Sequence, residues 1–355
     1  MTGYSPGRQL QHKAAERGSP GASRAPRGTA PRITALGGGQ GLSASLSALR
    51  RLTSDLTAVV TVADDGGSSG RLRSELGVLP PGDLRKALAA LCGDDEWGRT
   101  WSEVIQQRFS GNGELGGHAV GNLLIVALWE KLGDPVAALE WVARLLNVQG
   151  RVLPMSAVPL DIEAQVRGHD PAHPALVAAV RGQASVAGTP GTVQSVRLLP
   201  EEPPAVPEAV TAVLEADWVV LGPGSWFTSV LPHLLVPELA KALVETKARR
   251  LLCLNLAPQP GETEGFTPQR HLEVIADHAP LLGVDAILVD ERAVTGGAFG
   301  VADLGGLRSA AQRMGAALVL DKVAAKDGSP RHDPELLAAA YDRIFRTHGR
   351  IGPWR

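Results

Sequence analysis

Two carboxylates in succession, Asp64 and Asp65, close an apolar run, and a glycine- and hydroxyl-rich turn then leads to two arginines, so that Thr61 to Arg73 reads TVADDGGSSGRLR. Adjacent acids at a strand end can accept hydrogen bonds from a ribose hydroxyl. They also suit a Mg²⁺ that keeps several waters and touches phosphates. The plainer alternative is that they cap a helix and close a turn. Gly66, Ser68 and Ser69 with their amides can form an anion-binding nest. Arg71 or Arg73 can add charge-assisted bonds of about 1.5–3 kcal/mol each when sheltered. A micromolar ligand needs about 8 kcal/mol, which a few such contacts and helix ends can supply. The stretch reads as a polar site for a phosphorylated ligand.

Other segments carry compatible chemistry. Ile33–Leu36 runs into Gly37-Gly38-Gly39-Gln40-Gly41 and then a helical pattern from Leu42. Such a strand, turn and helix present backbone N–H groups and a helix N-terminus to phosphate. The run is GGGxG rather than GxGxxG, so the NAD fingerprint is not met. Trp218–Leu221 followed by Gly222-Pro223-Gly224-Ser225 repeats the arrangement and strengthens it. Asp83, after Pro80-Pro81, reads most simply as a first-turn or capping acid, with Arg85 directed to the phosphate site or to solvent. His118 and Asn122, four apart before an apolar helix, are expected on one helical face. Asn255 ends a strand near Leu251–Leu256, and Arg331 and His332 stand beside a helix start at Asp333-Pro334. No serine sits in a GxSxG elbow, and zinc-ligand spacing is absent.

These residues need a scaffold of buried strands. The 355 residues, 44% hydrophobic, suffice for one large α/β domain. Apolar runs at 33–36, 56–63, 218–221, 251–256, 284–289 and 317–320 predict parallel strands alternating with helices, a Rossmann-like, doubly wound, mostly parallel sheet. Between 151 and 200, short β-like pieces (Val152–Met155, Ile162–Val166, Ala184–Ala187, Val193–Leu198) predict an inserted antiparallel β-rich lobe in a single domain spanning 31–350. Residues 93–101 read as a surface loop. Residues 1–30 are rich in Gly, Pro, Ser and Arg and read as a disordered tail. A net charge of −2 argues against nucleic acid as partner. No apolar run is long enough to span a bilayer, and no signal-peptide pattern opens the chain. Cys92 and Cys253, both in apolar segments, read as buried thiols of a cytoplasmic protein.

The segments LGGGQGLS, VTVADDGGSSGRLR, PPGDLRKAL, GHAVGNLL, VVLGPGSWFTSVLPHLLVP, QPGETEGFTPQRH and RHDP, in this order, resemble the CofD/YvcK superfamily, specifically its YvcK-like, gluconeogenesis-factor branch. The resemblance spans nearly everything from Ile33 to Phe345. It implies a Rossmann-like fold and binding of a UDP-sugar of the UDP-N-acetylglucosamine type. It also implies control of cell shape and cell-wall precursor supply during gluconeogenic growth, without an established reaction or an established cofactor. The partner protein is unspecified and a homodimer is left open. By the same resemblance, Gly38, Gly39, Gly41, Gly222, Gly224 and Ser225 would hold the diphosphate or the sugar. Asp64 and Asp65 would lie near nucleotide or metal, Asn122 belongs to a GN pair, and Arg331 would contact the nucleotide-sugar. Gln40 departs from the Thr common in the first turn, and Pro334 from a phosphorylatable Thr of some relatives. The alternative is a Mg²⁺-dependent transferase of the 2-phospho-L-lactate type, with Asp64 and Asp65 as metal ligands. A dinucleotide-binding protein is a third, weaker reading.

Overall fold

The computed structural model describes residues 30–296, 298–299 and 303–348; the expected tail lies outside them, apart from Ala30. Seven parallel strands build the main sheet: β1 (Ile33–Gly37), β2 (Leu56–Val60), β3 (Arg151–Pro154), β7 (Trp218–Leu221), β8 (Arg249–Cys253), β9 (Ala286–Asp290) and β10 (Ala317–Asp321). Their order is β10-β9-β8-β7-β1-β2-β3. β1, β7 and β9 are buried along their whole lengths, as continuous Val/Ile/Leu/Ala runs covered on both faces must be.

From β1 the chain steps outward through β2 to β3, and from β7 it steps the other way to β10. The reversal falls between β1 and β7, which pair directly with Ile33 opposite Trp218 and Leu36 opposite Leu221. In open sheets of this kind ligands bind beyond the carboxyl ends of the strands at that point. The Rossmann-like, doubly wound expectation holds.

Local chemistry sets the helix starts. Proline occupies the first turn at Pro81, Pro135, Pro207, Pro237, Pro268 and Pro334, where its missing N–H costs nothing. Asp333 caps the last helix, accepting from the N–H groups of Glu335 and Leu336 at 2.8 and 3.1 Å.

The lobe is a three-stranded antiparallel sheet, β5-β4-β6, of β4 (Asp161–Arg167), β5 (Val177–Arg181) and β6 (Thr192–Leu199). Ile162, Ala164 and Val166 alternate inward and are fully buried. Arg73 fastens the lobe to the core by donating to the Leu160 carbonyl at 2.9 Å and to Asp161 at 2.5 Å.

Several local expectations change. Val152–Met155 does not belong to the lobe: β3 pairs in parallel with β2 and forms the edge of the main sheet. Ala184–Ala187 is helical (Gln183–Ala187), because the distant Asp65 carboxylate accepts from the Ala184 N–H at 2.9 Å and stabilises the first turn. Residues 93–101 are not all loop, since a helix runs from Glu96 to Gln106 with Asp95 accepting from the Gly98 N–H. The helix after Gly116 begins at Val120, so His118 precedes it and does not share a helical face with Asn122. Arg85 points neither to solvent nor into the cleft; it is buried and donates to Asn122 Oδ1 at 2.9 Å. Cys92 and Cys253 are free and buried, and burial pushes their thiols up to about 11 and about 12.

Candidate functional site

A cleft of about 1140 Å³ opens at the carboxyl ends of β1 and β7. Its walls come from the two glycine turns, the acidic stretch after β2, the helix Pro81–Leu91, the lobe helix, the loop after β8 and the segment Pro330–His332.

The first glycine turn feeds the helix Gly39–Leu49. Gly39 sits at φ +61°, where a Cβ would be strained. Its N–H donates to Asp83 Oδ2 at 2.9 Å, while Lys86 Nζ donates to Asp83 Oδ1 at 2.9 Å. Asp83 is therefore more than a first-turn acid, because it braces the glycine turn. The N–H groups of Gln40 and Gly41, next in line at this helix N-terminus, have no partner among the described residues. A helix N-terminus with open amides favours an anion.

The second glycine turn lies against the first. A Cβ on Gly41 would overlap the Pro223 carbonyl and Gly224 Cα, so only glycine allows the two turns this approach. Asn255 clamps Gly224 from the other side, accepting from its N–H at 2.9 Å and donating to its carbonyl at 2.8 Å. Ser225 then starts a helical run through Leu235 whose first turn, Trp226–Val230, is π-helical. Its N-terminus is occupied by a side chain of the protein. Glu262 is buried and accepts from Ser225 Oγ (2.5 and 2.6 Å) and from Thr228 Oγ1 (2.9 Å), and the nearby N–H groups of Phe227 and Trp226 favour its charged form. Burial pushes the Glu262 carboxyl up, against the lowering effect of these bonds.

The adjacent acids diverge. Asp64 lines the cleft and accepts from the Gly66 N–H at 3.0 Å. Burial first, and the nearby Asp83 charge after it, raise its pKa, while the Gly66 N–H, the Ser69 hydroxyl and Lys86 pull the other way. Asp65 turns to the lobe helix, so the two carboxylates do not converge on one ion as the metal reading required. Among the described residues no group of three or more His, Cys, Asp and Glu side chains could hold a metal. Asp64 with Asp83 is the better-placed pair for a hydrated Mg²⁺, which needs only one or two carboxylates when phosphates complete its shell.

Of the residues singled out by sequence, Gly38, Gly39, Gly41, Asp64, Asp83, Gly224, Ser225, Asn255 and Arg331 line the cleft. Gly222 stands just behind it, with its backbone against the Cys253 carbonyl. Arg331 is exposed and donates to Asp327 and Ser329. The neighbouring imidazole of His332 is pushed down to about 4 by burial.

Ser68, His118 and Asn122 form a separate buried network. Ser68 Oγ accepts from Asn122 Nδ2 at 3.0 Å and from the Ala119 N–H at 3.4 Å, and is paired with His118 Nδ1 at 3.0 Å. Burial and the Arg71 charge lower the His118 pKa, consistent with a neutral ring. Arg71 itself donates to the Gly116 and Glu114 carbonyls outside the cleft. This network joins the helix Gly67–Leu76, formed where a glycine- and hydroxyl-rich turn was expected, to the helix Val120–Leu132 and is a brace for the acidic stretch.

Sequence reasoning missed Lys86 and Glu262. Lys86 had a signal, because it lies three residues after Asp83 on one helix. Glu262 had none short of knowing which loop faces Ser225.

Comparison with known proteins agrees with this architecture. Residues 33–302 match the model of the family described as "2-phospho-L-lactate transferase CofD". A Mycobacterium leprae protein named "Putative gluconeogenesis factor" is 55% identical over 317 residues, covering 89% of this chain and 87% of its own. The "Gluconeogenesis factor" of Bacillus subtilis is 37% identical over 263 residues, 74% of this chain and 80% of its own. A solved structure of a UPF0052-family protein from Bacillus halodurans superposes with a TM-score of 0.76 at 34% identity, covering 87% of this chain and 97% of that one.

Proposed function

The chain belongs to the CofD family, with relatives named as gluconeogenesis factors, and from that premise we propose that it binds a nucleotide-sugar of the UDP-N-acetylglucosamine type. It acts as a cytoplasmic regulator of cell shape and cell-wall precursor supply during gluconeogenic growth, through a protein partner. The observation that carries the reading is the pair of apposed glycine turns at the strand-order reversal, one of them offering the open amides of Gln40 and Gly41 beside Lys86. Amides at a helix N-terminus and one ammonium suit a diphosphate. Asp64 can take a ribose hydroxyl, and Arg331 stands at the rim for the nucleotide or sugar. Calorimetry with UDP-N-acetylglucosamine tests this directly: micromolar affinity is expected, and no binding heat at any temperature ends the proposal.

A second reading, a Mg²⁺-dependent transferase of the phospholactate type, is favoured by Asp64 and Asp83 facing one cleft and interacting electrostatically. Mg²⁺ there would neutralise developing charge on a transferred phosphate group. Incubation with a nucleotide-activated phosphoacid, a deazaflavin acceptor and Mg²⁺ separates the readings, and absence of turnover removes this one.

A further inference from the structure

The second glycine turn has the backbone of a phosphate loop, but its anion is built in. The Glu262 carboxyl accepts from the hydroxyls of Ser225 and Thr228 and sits at the N-terminus of the helix that starts at Trp226, where the N–H groups of Trp226 and Phe227 act on it electrostatically. The third N–H, that of Thr228, is taken by Ser225 Oγ at 3.3 Å, and that of Gly224 by Asn255. The amides of Gly224 and Thr228 are thus taken, and those of Trp226 and Phe227 face the Glu262 carboxyl rather than an open cleft. A phosphate arriving here would meet the buried oxygens of Glu262 in place of open donors, and acceptor oxygens held against phosphate oxygens in a sheltered site are unfavourable whether or not the carboxyl is ionised.

We propose that Glu262 is a specificity-determining residue: it seals the second glycine turn against phosphate, so that the ligand's diphosphate is confined to the first turn. The inference rests on the nucleotide-sugar reading and adds to it the direction in which the ligand lies. The side of the cleft lined by Ser225, Thr228 and Glu262 then faces the uncharged, hydroxyl-bearing part of the ligand. Carboxylates accept hydrogen bonds from sugar hydroxyls and repel phosphate oxygens. The loop that carries Glu262 is held in register by Gln259, whose N–H donates to Thr263 Oγ1 at 2.8 Å and whose side chain accepts from Asn255. Gly261 brings that loop so close to Ala187 of the lobe helix that a Cβ would overlap the Ala187 carbonyl. The lobe thereby backs the loop that positions the carboxylate.

The test uses inorganic pyrophosphate as probe on the full chain, so it does not depend on which nucleotide-sugar binds. Titration calorimetry is run on the unmodified protein, Glu262→Ala and Glu262→Gln. The expected result is one pyrophosphate per unmodified chain, and in at least one variant a second equivalent or an affinity at least tenfold higher. Unchanged or weaker pyrophosphate binding in both variants overturns the proposal. Should Glu262→Ala fold poorly, acetate provides an independent readout: it raises the melting temperature of that variant and not of the unmodified protein, and equal shifts in the two count against a resident anion. Loss of UDP-N-acetylglucosamine binding in the unmodified protein would sink the nucleotide-sugar reading while leaving the pyrophosphate comparison standing.

Discussion

The two glycine turns share a local design and differ in what fills them. Each follows a buried strand and opens a helix, and each lies at the same reversal of strand order. At the first, Asp83 takes one amide and leaves those of Gln40 and Gly41 open. At the second, Asn255 takes the Gly224 amide, Ser225 takes that of Thr228, and the Glu262 carboxyl fills the space before the helix N-terminus. A phosphate-loop backbone therefore says where an anion can sit, while the side chains brought to it from elsewhere decide whether that anion is a ligand or the protein itself.

The contrast can be broken most severely where the turns touch. Gly41→Ala drives a methyl into the Pro223 carbonyl and is expected to cost about 3 kcal/mol in urea unfolding, the upper range for overpacking. Gly39→Ala, whose Cβ would meet no atom within 4 Å, should cost only about 1–2 kcal/mol from its left-handed backbone. Equal losses would mean that the close approach is unimportant. Releasing the second turn alone is milder. Asn255→Ala removes both bonds to Gly224 and should lower stability by about 2 kcal/mol, while pyrophosphate affinity at the first turn stays within twofold.

Ligand binding gives the next largest effect. Arg331→Ala or Asp64→Asn should weaken UDP-N-acetylglucosamine at least tenfold, about 1.4 kcal/mol; calorimetric affinities equal to that of the unmodified protein would remove these residues from the site. The smallest expected signal is a slope. Burial raises the Glu262 carboxyl above its ordinary range, so as pH rises the unfolded chain ionises first. Stability should thus be fully present below the ordinary glutamate value and decline up to the raised one. Glu262→Gln should flatten that part of the stability–pH curve, and an unaltered slope would assign it to another group, with Asp64, also raised, the first to test.

Much of the scaffold was legible because it is written locally. Ile33–Leu36 and Trp218–Leu221 are apolar runs stopped by glycine, and hydrophobic periodicity with proline and aspartate start signals placed the helices beginning at Pro81 and Pro334. What was not legible depends on long-range meetings. Glu262 lies 37 residues from Ser225 and reaches it only because β8 intervenes and the loop after it folds back. The helix Gln183–Ala187 gains its first-turn acceptor from Asp65, 119 residues away, which short-range pattern reading cannot supply. The divergence of Asp64 and Asp65 was not readable from strand alternation, because β2 ends at Val60 and the pair lies beyond it in irregular chain. The expected shared helical face of His118 and Asn122 is absent because the helix starts at Val120, and the two meet instead through Ser68.

The lobe separates the two turns along the chain while β1 and β7 hold them side by side. A single cut between β4 and β6 would therefore divide the protein into two fragments, each keeping one turn and its own half of the sheet. Neither fragment alone could offer both walls of the cleft, so a molecule that touches both would act between them as a dimeriser. The fold is, in that sense, a split receptor whose halves happen to be joined.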